Sequence, residues 1–91
     1  MPDIVIETIE ETEEGWEMSV ALRDEHYEVS VSKEYTEAIG ADDVTPEALV
    51  RASFSYLLDH EPQESILSSF SLQDIETYFP KYPREIQTYL Q

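Results

Sequence analysis

Trp16-Glu17-Met18-Ser19-Val20-Ala21-Leu22-Arg23 alternates apolar with mostly polar residues, and Tyr27-Glu28-Val29-Ser30-Val31-Ser32 repeats the pattern after a short break. Successive side chains on a strand point to opposite faces. A period of two therefore puts Trp16, Met18, Val20 and Leu22 on one dry face, and Glu17, Ser19, Ala21 and Arg23 on a wetter one. One dry and one wet face is what an antiparallel sheet covered on a single side requires. Asp24-Glu25 is read as the turn joining the two strands.

On the N-terminal side, the run from Ile4 to Ile9 is rich in β-branched residues and reads as a further strand. Glu13-Glu14-Gly15 is the loop that returns the chain, with Gly15 expected to supply a positive φ. Three strands in series make a meander with one dry face.

On the C-terminal side the period changes at Ser32, a good N-cap, with Tyr35, Ala38 and Ile39 at helical spacing and Gly40 placed to close a short helix. Thr45-Pro46-Glu47 reads as N-cap, first-turn proline and first-turn acid. It opens the longest periodic segment, with Val50, Phe54, Leu57 and Leu58 on one face and Leu49 beside it. After Asp59-His60-Glu61-Pro62 come the apolar cluster Ile66, Leu67 and Phe70, then a capping pair, Ser71 with Asp74, before Leu72, Ile75, Tyr78 and Phe79. Pro80 and Pro83 are expected to break the chain before a last helical turn with Ile86, Tyr89 and Leu90.

Strands first and helices after predict an α+β fold. The expectation is a three-stranded antiparallel β-meander followed by three to four C-terminal helices packed on one face. It forms a single domain over residues 1–91, with 1–32 the meander and 33–91 the helical part. The predicted core is Trp16, Met18, Val20, Leu22, Tyr27, Val29, Val31, Tyr35, Ile39, Val50, Phe54, Leu57, Leu58, Ile66, Phe70, Ile75 and Phe79. Tyr78, Tyr82 and Tyr89 are candidates for an aromatic surface near the C-terminus.

The segments Ser-Lys-Glu-Tyr (32–35), Thr-Pro-Glu-Ala-Leu (45–49), Glu-Pro-Gln-Glu-Ser-Ile-Leu (61–67) and Tyr-Phe-Pro-Lys-Tyr-Pro (78–83) form a pattern of caps, prolines and core positions. In this pattern the C-terminal two-thirds of the chain resembles a group of small uncharacterised prokaryotic proteins built as strand hairpins followed by helices. The resemblance implies the fold and no particular chemistry.

Charge dominates the composition. Twenty-one acids against five bases give a formal net charge of −16 and a pI near 4.1. Residues 1–50 hold 15 acids and 2 bases, and residues 51–91 hold 6 and 3. A chain of this charge offers no basic patch for DNA, RNA or an anionic membrane. It has no cysteine, hence no disulfide, thiolate metal site or thiol chemistry, which favours a reducing, cytoplasmic setting. Met1-Pro2-Asp3-Ile4 does not read as a signal peptide, and no apolar run reaches the roughly 20 residues that span a bilayer.

The chain carries two histidines and nine serines. His60, flanked by Asp59 and Glu61, is the centre of a hydrolytic or metal-dependent alternative. Adjacent side chains rarely converge on one ion, and an imidazole in the last turn of a helix is accounted for by the helix dipole. His26 reads as a turn or strand-edge residue. With two glycines in the chain, no nucleophile elbow, Walker loop or dinucleotide fingerprint occurs. The expectation is a non-enzymatic protein with no cofactor and no metal.

The remaining candidate is the acidic hairpin: Glu7, Glu10, Glu11, Glu13, Glu14 and Glu17. Solvation in concentrated salt, as in a halophile, is one reading. A recognition face for a basic protein partner is the second, with mimicry of nucleic acid as its extreme. Calcium is a third, although Asp42-Asp43 and the glutamates lack the spacing and central glycine of an EF-hand loop. The functional expectation is a small acidic interaction or regulatory protein, with homodimerisation through an open sheet edge as a further possibility.

Overall fold

The alternating segments become β1 (Ile4–Glu11), β2 (Gly15–Leu22) and β3 (Glu25–Ser32), an antiparallel meander, in a computed structural model that describes residues 4–90. Residues 1–3, to which part of the leader-segment reading applies, lie outside the described residues. Val20 lies opposite Tyr27, and Met18 opposite Val29. Ile4 and Ile6 of β1 face Leu22 and Val20, and the register then slips between Ile6 and Thr8, leaving Glu7 in a bulge.

The turns differ from expectation in two places. Leu22 pairs with Glu25, so the loop between β2 and β3 is Arg23-Asp24 and not Asp24-Glu25. Arg23 takes φ 58°, a left-handed conformation that glycine adopts more readily. Gly15 supplies no left-handed turn; it is the first residue of β2. A Cβ there would stand 1.8 Å from the carbonyl oxygen of Val31, so glycine is required by close approach of backbones. Gly40, with φ 72°, does close the first helix as expected.

Four helices follow: α1 (Lys33–Ala38), α2 (Pro46–His60), α3 (Leu72–Tyr78) and α4 (Tyr82–Tyr89). Ser32 and Thr45 cap α1 and α2 through their side-chain oxygens, and Ser71 with Asp74 forms a capping box on α3. Pro83 does not interrupt the chain. It sits in the first turn of α4, where its missing N–H and fixed φ are harmless.

Among the described residues, the three-stranded antiparallel meander is extended by a fourth strand. β4 (Ser69–Ser71) adds to β3 in parallel, with Phe70 opposite Val29, in the order β1-β2-β3-β4. A parallel neighbour needs a long crossover, which α1 and α2 provide. Three residues are too few to show a period, so only Phe70 signalled burial in advance.

The helices cover the face carrying Met18, Val20, Tyr27 and Val29. Phe54 of α2 is central, its ring 5.2 Å from Tyr27 and 5.8 Å from Phe70. A second stripe of α2, Leu49, Ser53 and Tyr56, is also buried, and α4 packs on this helix. Tyr56 meets Tyr82 and Tyr89 edge-on at 5.3 and 5.6 Å. Tyr82 is therefore a core residue, 0% exposed, and not part of an aromatic surface; Tyr78 stays outside at 68%. Leu49, Tyr56, Leu72, Tyr82 and Ile86 join the predicted core. Trp16, Tyr35, Ile39, Leu58 and Phe79 lie at its half-buried margin.

The opposite sheet face is open. Its central rows, read across the strands, are Glu10–Glu17–Ser30–Ser71 and Thr8–Ser19–Glu28–Ser69. No residue in either row is buried. Among the described residues, no helix is long and apolar enough to cross a membrane.

Candidate functional site

The six glutamates singled out in the sequence fall into three groups. Glu7, Glu10 and Glu17 belong to the open face. Glu7 accepts from His26 Nδ1 at 3.0 Å, and Glu17 accepts from the Ser30 hydroxyl at 2.9 Å. Glu10 stands directly opposite Glu17 on the neighbouring strand.

Glu11 lies opposite Trp16, on the helix-bearing side. It pairs with Lys33 Nζ at 3.0 Å, and the same ammonium sits 5.3 Å from the centre of the Trp16 ring. Glu13 and Glu14 occupy the hairpin tip. That tip is shaped by Thr12, whose hydroxyl accepts from Gly15 N at 3.0 Å, and by Lys33 N donating to the Glu14 carbonyl at 2.8 Å.

Glu28 completes the open face and was not among the sequence candidates. It accepts from the Ser19 hydroxyl at 3.0 Å. The signal was present, because Glu28 belongs to the wet set of the β3 alternation. What hid it was chain distance from the hairpin, since only the cross-strand register brings it beside Glu17.

The open face is thus a grid of carboxylates separated by serine and threonine hydroxyls. Its cations are few: His26 beside Glu7, when protonated, is the contact made on this face. Like charges directly opposite one another are destabilising by a fraction of a kcal/mol, about 0.2–1.

His60 is held otherwise. Its Nδ1 is 2.8 Å from the Tyr56 carbonyl one turn back, its ring stacks on Tyr56 at 4.1 Å, and Nε2 is 3.8 Å from Glu85. Glu85 also accepts from the Tyr56 hydroxyl at 2.9 Å, and Asp59 accepts from Tyr89. These contacts lock the imidazole onto its own helix end. Among the described residues, no group of three or more histidine, aspartate or glutamate side chains is placed to hold a metal ion.

Comparison with protein-family models, curated proteins and solved structures finds no match to this chain.

Proposed function

We propose that the protein is a small acidic interaction protein whose open sheet face receives a basic protein partner. The observation that carries this reading is the direct opposition of Glu10 and Glu17, extended by Glu28 on the next strand. Ser30 gives a hydrogen bond to Glu17 and Ser19 gives one to Glu28, but the Glu10–Glu17 juxtaposition itself is repulsive and opposes folding. Residues that cost stability where they stand are those expected of a functional surface. A complementary cationic surface would relieve the repulsion on docking and would be steered to the face over long range.

The test replaces Glu7, Glu10, Glu17 and Glu28 with Gln and measures binding of a lysine-rich synthetic peptide at low salt. A control replaces Glu34, Glu37, Asp42 and Asp43 with their amides, which removes the same charge from α1 and the loop after it, outside the rows of the open face. The sheet-face variant should stay folded and bind about tenfold more weakly, with the control near wild type. Equal weakening in both variants would mean that net charge alone attracts the peptide, and would end this reading.

A further inference from the structure

A second surface differs from the acidic face in kind. A cleft of about 190 Å³ lies where the C-terminal part of α2, the segment leading into β4, and α3 meet. Leu57, Ile66, Phe70 and Ile75 form its apolar floor. Leu67 and Tyr78 line it while remaining 52% and 68% exposed. Four large hydrophobic side chains are exposed among the described residues, and two of them stand at this cleft. Exposed apolar groups gathered round a concavity mark an interaction site more often than scattered ones do.

The wall also carries a carboxylate. Glu61 lines the cleft, and among the described residues its side chain takes part in no hydrogen bond or ion pair. Burial holds its carboxyl above the usual range, an effect the nearby His60 partly opposes. Asp74, also on the cleft, gives one oxygen to Ser71 N at 3.0 Å and keeps the other free.

Size and charge define the occupant. The volume lies below the roughly 300–1,000 Å³ of small-molecule pockets, and it suits one large apolar side chain. Glu61 and Asp74 call for a cation beside that side chain. A second copy of this chain is a poor fit, because each copy carries a formal charge of −16.

We propose that the cleft docks a basic amphipathic peptide segment of a partner, with one leucine- or phenylalanine-sized side chain seated among Leu57, Ile66 and Ile75 and a neighbouring lysine or arginine paired with Glu61. The inference shares with the preceding one the premise of a basic partner, but it rests on different residues.

The probe is a short synthetic peptide of lysine and leucine at helical spacing, with a counterpart in which serine replaces every leucine. Binding is followed by amide chemical shifts. The lysine–leucine peptide should perturb Leu57, Ile66, Leu67 and Ile75. Leu67→Ser and Tyr78→Ser, both at exposed positions where folding is secure, should each weaken it about tenfold, and Glu61→Gln about threefold. The serine counterpart should leave these signals unmoved. Affinity unchanged by Leu67→Ser and Tyr78→Ser, equal binding of the serine peptide, or no binding to any form overturns the proposal. Loss of binding in the sheet-face variant alone overturns the cleft and leaves the acidic face standing. Loss in the cleft variants alone supports the cleft, and leaves the acidic face to the lysine-rich peptide of its own test.

Discussion

Glu10 of β1 and Glu17 of β2 occupy one cross-strand pair on the open face of the sheet. A carboxylate opposite a carboxylate is a poor choice for folding and a simple one to repair. Glu17→Lys should raise stability by about 0.5–1 kcal/mol at low salt, because it turns a repulsive pair into an attractive one beside Ser30. Urea unfolding of the single variant at low ionic strength measures the gain.

Gly15 is constrained by the Val31 carbonyl, which leaves no room for a Cβ. Gly15→Ala should destabilise by about 2–3 kcal/mol through displacement of the β2–β3 ladder at its start. Gly15→Ala with an unchanged denaturation midpoint would mean that the strands separate there without penalty.

The buried hydroxyls of Ser53 and Tyr82 lie 2.6 Å apart, and Ser53 donates to the Leu49 carbonyl at 2.7 Å. Tyr82 must then be the donor to Ser53. Ser53→Ala strands the Tyr82 hydroxyl in the core and should cost about 1–3 kcal/mol. Tyr82→Phe leaves Ser53 bonded to its own helix and should cost less. The double variant should be milder than the two single losses added together, which a double-mutant cycle reads directly.

Tyrosines report on the helical layer through pH. Burial pushes Tyr82 up to about 12, and the hydrogen bond to Asp59 pushes Tyr89 up to about 12. Tyr35 and Tyr56 are raised further, chiefly by burial and then by their bonds to Glu76 and Glu85. A folded state that holds its phenolic protons more tightly than the unfolded chain keeps its full stability below the ordinary tyrosine value of 10.0. That stability is lost as pH rises from there through the folded-state values. Phenolate absorbance should therefore lag during titration of the native protein, then rise steeply as the fold opens. A smooth rise centred on 10.0 would contradict the packing described for these rings.

The legible parts of the fold were those with enough residues to show a period or a cap. The meander followed from the alternation of Trp16–Arg23 and Tyr27–Ser32. The starts of α1 and α2 followed from Ser32 and Thr45-Pro46. β4 escaped because three residues carry no period, and its place depends on a crossover of more than 30 residues. Tyr56 and Tyr82 escaped because α2 buries two stripes, one on the sheet and one on α4, whereas helical periodicity signals a single apolar stripe. The acidic candidates were visible as residue types, but their division among three locations was not. Only register separates Glu10 and Glu17 from Glu11, and joins them to Glu28.

The central claim is that the carboxylates of the open face are held against the interest of stability, for a partner. Thermal unfolding of wild type and of the Glu7, Glu10, Glu17 and Glu28→Gln variant, from about 0.1 M to about 3 M KCl, tests it most directly. Screening is nearly complete by about 1 M, where the Debye length is about 3 Å. The account predicts a more stable variant at low salt, with the two curves merging near 1 M and staying together beyond it. A wild type that overtakes the variant and keeps climbing in molar salt would contradict it, because the acids would then be serving solvation in brine.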